Sequence, residues 1–68
     1  MTIELNGEPR EVEDGATVTA ALDLLDLPPD ARGVAVAVDA EVVPRREWPS
    51  RALAAGARVE VLTAMQGG

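Results

Sequence analysis

Thr2-Ile3-Glu4-Leu5-Asn6-Gly7-Glu8-Pro9-Arg10-Glu11-Val12 is the stretch that decides the fold. Polar and apolar residues alternate from Thr2 to Leu5, the period of a strand with one buried face. Asn6-Gly7 follows as the strongest short hairpin signal, because both central positions of a type I′ turn need positive φ. Arg10 to Val12 returns as the partner strand. Pro9 beside the turn fits an edge position, where its missing N–H removes no ladder bond. Glu13-Asp14-Gly15-Ala16 then breaks the alternation.

Outward from the hairpin the period changes. Val18, Ala21, Leu22 and Leu25 stand at i, i+3, i+4 and i+7, one face of a helix. Thr17 precedes them as an N-cap, and Pro28-Pro29 stops the helix. About two turns of helix cannot stand alone in water, so this segment must pack on a sheet. Val34, Val36 and Val38 then share one face of a third strand, with Ala35 and Ala37 on the other. Asp39-Ala40 marks a turn and Glu41 to Val43 a short fourth strand. Pro44 to Leu53 reads as irregular or a brief helical turn, and Ala55-Gly56-Ala57 as another turn. Arg58 to Leu62 is the last strand, with Val59 and Val61 inward and Arg58, Glu60 and Leu62 outward. The order β-β-α-β-β-β predicts an α+β fold, a mixed sheet of four or five strands over one main helix. Residues 1–62 form the domain, and residues 63–68 a flexible tail.

Composition narrows the function. Sixty-eight residues make one small domain, which buries only about 60% of the surface its unfolded chain exposes. An apolar fraction of 47% supports a core but leaves little chain for an enclosed substrate cavity. Cys and His are absent, which excludes disulfides, thiol chemistry and the usual zinc ligands. The acidic residues are scattered, with no spacing that marks a metal site or an acid/base pair. Lys is also absent, so no side-chain amine exists for a Schiff base or isopeptide bond. The net charge of −6 argues against a basic face for nucleic acid or for an anionic membrane, and favours protein partners. No signal-like or membrane-spanning run is present, so the expected location is the cytoplasm.

Thr63-Ala64-Met65-Gln66-Gly67-Gly68 continues past the last strand. Six extended residues reach roughly 20 Å. Two terminal glycines can enter a tunnel that any Cβ would block, and they present a single group, the carboxylate of Gly68. That carboxylate is unreactive until activated, most simply as an acyl-adenylate made by a partner with ATP. No Gly-rich loop with Lys exists here to bind ATP. A frayed terminus that happens to end in glycine is the bland alternative.

The chain resembles the ThiS family of ubiquitin-like sulfur carriers. The resemblance rests on Val43-Pro44-Arg45 followed by Trp48, then Leu53, Gly56, and Val59-Glu60-Val61-Leu62-Thr63-Ala64-Met65-Gln66-Gly67-Gly68, and it covers essentially the whole chain. Ala57 stands where the family often has Asp, and Asp39 where Asn is common. The resemblance implies a β-grasp fold and a specific chemistry. A ubiquitin-activating-type adenylyltransferase adenylates Gly68 using ATP, and sulfur from a donor such as a cysteine desulfurase displaces AMP. The resulting thiocarboxylate passes its sulfur to thiazole synthase in thiamine biosynthesis. Gly67, Gln66 and Met65 are then the tail that enters partner active sites. The carrier is a co-substrate, binds no cofactor and catalyses nothing itself. The runners-up are the small subunit of a molybdopterin synthase, another ubiquitin-like sulfur carrier, and an interaction domain with no chemistry at its end.

Parity along the last strand places Leu62 and Ala64 outward. If the third and fifth strands are neighbours, Ala35 and Ala37 join them in one shallow apolar patch for partners. Trp48, the sole aromatic residue, is either a packing residue over the end of the core or an interface anchor. Arg45 and Arg46 have Glu47 beside them as an acidic partner.

Overall fold

The computed structural model describes residues 1–28 and 30–64. Met65, Gln66, Gly67 and Gly68, expected as the tail, lie outside the described residues, as does Pro29. In chain order the elements are β1 (Thr2–Leu5), β2 (Glu8–Glu11), α1 (Val18–Leu24), β3 (Val34–Val38), β4 (Glu41–Val43), a 3₁₀ turn (Arg45–Glu47) and β5 (Arg58–Thr63). They form one mixed sheet in the order β2-β1-β5-β3-β4. β5 runs parallel to β1 and antiparallel to β3. Among the described residues no helix is long and apolar enough to cross a membrane.

The hairpin forms as its sequence dictates. Asn6 and Gly7 both have positive φ, 50° and 85°, as a type I′ turn requires. β2 begins earlier than expected, at Glu8, and Pro9 pairs with Glu4 on an outer strand that has no neighbour beyond it. The Asn6 side chain also reaches across the fold. Its Oδ1 accepts the Val61 N–H at 2.8 Å while its own N–H donates to Val59 at 2.9 Å. The turn residue thereby extends the β1–β5 ladder past the end of β1 and ties the N-terminal hairpin to the last strand.

Helix α1 buries Val18, Ala21 and Leu22 against the sheet, the face set by its periodicity. Both of its ends differ from expectation. Thr17 occupies the N-cap position with extended backbone, but its hydroxyl makes no capping bond. The first helical N–H groups are satisfied by distant backbone instead: Val18 donates to the Arg51 carbonyl at 3.0 Å and Thr19 to that of Trp48 at 3.4 Å. At the other end the prolines come too late to be the stop. Asp26 takes a left-handed φ of 58°, and its N–H donates to Asp23 while that of Leu27 donates to Leu22, both at 3.0 Å. This is a Schellman closure with Asp where Gly is usual.

The core lies between α1 and the inner face of the sheet, where Ile3, Leu5, Val36, Val38, Val59 and Val61 all face the helix. Leu53 and Ala57, from the long connection before β5, complete it. Trp48 is 3% exposed and closes one end. Its indole N–H donates to the Val43 carbonyl at 2.9 Å, so the one polar atom of the ring is satisfied. Among the described residues no buried side-chain polar atom lacks a partner.

β5 ends one residue later than expected. Thr63 pairs with Val34, and the Ala64 N–H donates to the Gly33 carbonyl at 2.6 Å. The boundary expected after residue 62 therefore falls inside the ladder, because β3 is long enough to pair with the residues beyond it.

The β3–β4 turn carries a local cost. Asp39 and Ala40 have φ of 50° and 70°. Asp tolerates this region, whereas the Cβ of Ala meets the backbone there. Ala40→Gly is expected to stabilise the domain by about 1 kcal/mol, read as a higher urea midpoint at unchanged slope. A lower midpoint would show that Ala40 makes a compensating contact.

Candidate functional site

The outer face of the sheet, opposite the helix, divides into two halves. Strands β1, β2 and the start of β5 present Glu4, Glu11 and Arg58. Arg58 Nε lies 3.2 Å from Glu4 Oε2, both side chains substantially exposed. Such a solvated pair contributes well under about 1 kcal/mol. The Thr2 hydroxyl donates to the Glu11 carboxylate.

The other half is apolar. Antiparallel register places Ala35 opposite Leu62, and Ala37 opposite Glu60 on β5 and Val42 on β4. Two small alanines thus lie between two large exposed side chains, with Leu62 at 69% and Val42 at 74% exposure. Because a methyl group cannot fill the space beside them, a shallow groove of about 130 Å³ remains, with Glu60 at its rim. Valine and leucine are usually buried, and a contiguous patch of them on a sheet face marks a contact surface more often than scattered exposure does.

Most of the residues expected in a partner patch come together here. Leu62, Ala35 and Ala37 share the groove. Ala64 continues the outward parity of β5 and is exposed beside Gly33. Trp48 does not join them, because its ring is in the core and not on this face. Gly68, Gly67, Gln66 and Met65 lie outside the described residues. Val42 is a patch residue that the sequence reading did not single out. Its signal was available: Val43 is buried, so its neighbour on a period-2 strand must face outward.

The Arg45-Arg46-Glu47 segment is arranged differently from a local ion pair. The Arg45 guanidinium donates to the Ala31 carbonyl and lies 4.6 Å from the centroid of the Trp48 ring. The nearby carboxylate contact is instead Arg51 to Glu41 at 2.9 Å. Among the described residues no cluster of acidic side chains is placed to hold a metal ion.

With this geometry in place, comparison with known proteins is specific. The model of the ThiS family matches residues 3–68. The chain is 42% identical over 64 residues to the sulfur carrier protein ThiS of Thermus thermophilus, covering 94% of this chain and 95% of that one. It is similar to the crystal structure of thiamine biosynthesis protein ThiS from Geobacter metallireducens, with TM-score 0.78, 31% identity and full coverage of both chains. The solution structure of a thiamine biosynthesis protein from the same organism superposes with TM-score 0.77 at 31% identity, covering all of this chain and 88% of that one.

The groove is a surface feature and not part of the core, and this can be measured. Leu62→Asp is expected to change unfolding free energy by less than about 0.5 kcal/mol, the range for exposed substitutions. Val61→Asp, one residue away and 6% exposed, should unfold the domain. Comparable losses for both would place Leu62 inside the packing.

Proposed function

The chain belongs to the ThiS family, and on that premise we propose that the terminal carboxylate of Gly68 is the atom group on which its sulfur travels. It is a sulfur carrier of thiamine biosynthesis and not a catalyst. Its β-grasp fold is that of the ThiS structures it superposes on. The observation that carries the finer reading is that the family match runs to the last residue, through Ala64-Met65-Gln66-Gly67-Gly68.

In this reading the Gly68 carboxylate attacks the α-phosphorus of ATP inside a ubiquitin-activating-type adenylyltransferase, and pyrophosphate leaves. A sulfur nucleophile adds to the acyl carbon and AMP departs. Where it is the persulfide of a donor such as a cysteine desulfurase, the product is an acyl disulfide, and a thiol reductant cleaves its S–S bond with two electrons to leave the thiocarboxylate. The thiocarboxylate on Gly68 then delivers sulfur to thiazole synthase. Each step needs activation because a glycine carboxylate is ionised and a poor electrophile at neutral pH. ATP and the catalytic groups belong to the partners. This chain contributes a recognisable body and a side-chain-free end.

The body supports docking through the apolar half of its outer face. Ala35, Ala37, Val42 and Leu62 form the groove, and Ala64 continues it toward the terminus. A partner that covers this face meets the chain where β5 directs it toward the terminus. Absence of Cys and Lys leaves no thiol or side-chain amine in the chain to capture the activated end. The net charge of −6 favours encounter with basic partner surfaces.

Incubation with the adenylyltransferase, ATP and a sulfur source is expected to replace one oxygen by sulfur in the intact mass, and deletion of Gly68 should abolish the change. An unchanged mass, with an adenylyltransferase that thiolates another sulfur carrier in the same assay, would contradict the reading. Thiocarboxylated protein is expected to support thiazole formation with thiazole synthase. Turnover with the large subunit of a molybdopterin synthase instead would reassign the product.

A further inference from the structure

We propose that Gly33, held in place by Arg45, fixes the point at which the chain leaves the sheet and so positions the terminal carboxylate for adenylation. The inference rests on the reading of Gly68 as the reacting group.

The β3–β5 ladder pairs Val34 with Thr63. One step beyond, Gly33 turns away with φ of 69°, while its carbonyl still accepts the Ala64 N–H at 2.6 Å. A Cβ on Gly33 would lie 3.2 Å from the Cβ of Ala64, closer than ordinary contact. Two independent demands therefore meet at residue 33: a left-handed backbone, and a close approach by the strand that leads to the terminus. Glycine satisfies both.

The loop that carries Gly33 is held from the core side. Arg45 donates to the carbonyl of Ala31, two residues earlier, and its guanidinium lies over the Trp48 ring. Trp48 is itself locked by burial and by its bond to Val43. Contacts thus run from the core through Trp48 and Arg45 to the Ala31 carbonyl, two residues before the Gly33 that holds Ala64.

Ala64 is the last residue held by this ladder among the described residues, and four residues remain to the carboxylate of Gly68. Four residues span at most about 14 Å, less than the roughly 20 Å that six residues reach. An arm this short carries an error at its root to its end. Reacting atoms must be held within about 3–3.5 Å, and a misplacement of an ångström can lower a rate by orders of magnitude. Changes at residues 33 and 45 replace none of the groove residues Ala35, Ala37, Val42 and Leu62, and Arg45→Ala adds no atom near Ala64. Loss of the bracket should therefore lower the rate of the bound complex and spare its affinity.

The test compares full-length wild type, Gly33→Ala, Arg45→Ala and Leu62→Asp. Pyrophosphate release is measured with the adenylyltransferase and ATP, with carrier concentration varied and every variant first shown to be folded at the assay temperature. Amide exchange of Ala64 is followed in the free proteins. The bracket predicts that Gly33→Ala and Arg45→Ala each lower kcat about tenfold with KM within about twofold, and that Ala64 exchanges faster in both. Leu62→Asp should do the reverse, raising KM with kcat retained. Wild-type kcat in both bracket variants, or losses confined to KM, would overturn the proposal. If Gly33→Ala does not fold, Arg45→Ala decides the question alone, since it removes an exposed side chain. Wild type that is not adenylated would overturn the Gly68 reading and the bracket together. Adenylated wild type with unaltered variants would overturn the bracket only.

Discussion

Insertion of β5 between β1 and β3 is the constraint on which the rest of this structure depends. It is the last strand in the sequence yet lies in the middle of the sheet. β3 pairs with it from Val59 to Thr63, β1 pairs with Arg58 and Val59 and the Asn6 side chain reaches Val61, and Val59 and Val61 are buried. The first half of β5 opens only when pairing is broken on both sides, whereas Leu62, Thr63 and Ala64 are held among the described residues by the β3 side alone, through Ala35, Val34 and Gly33.

Several features follow from that one insertion. A parallel β1–β5 pair requires a long crossover, and the chain uses it to carry α1, β3, β4 and the Trp48 segment around the core. The Asn6 side chain supplies a ladder bond to Val61 where β1 has already turned away. The outer face of β5 then lies beside the alanines of β3, which makes the groove and places it upstream of the terminus on the same strand. In the proposed function, recognition by the outer face of β5 and chemistry at Gly68 follow one another along the chain.

Much of this was legible in the sequence, and the reasons are physical. The hairpin could be read because Asn6-Gly7 encodes its turn locally. The helix face could be read because Val18, Ala21 and Leu22 keep the helical period. Outward placement of Leu62, Ala35 and Ala37 followed from strand parity once Val36, Val59 and Val61 were taken as buried. What stayed hidden is non-local. The carbonyls that cap α1 come from Trp48 and Arg51, thirty residues or so along the chain, whereas Thr17 is the acceptor that local sequence offers. Leu27 and Asp26 close the helix before the prolines can, through backbone bonds that leave no composition signal. Ala57 reads as a turn residue, yet packing at the start of β5 buries it. The extra reach of the ladder to Ala64 depends on the exact register of β3 against β5, which parity alone does not set.

The central proposal is that sulfur moves on the terminal carboxylate of Gly68 and not through a group in the folded body. Its most direct test is a single turnover with thiazole synthase, using carrier whose Gly68 thiocarboxylate bears a heavy sulfur isotope. The account predicts that the isotope appears in the thiazole ring in proportion to carrier consumed, and that the recovered carrier has a plain carboxylate. Unlabelled thiazole, with the isotope still on Gly68, would contradict it.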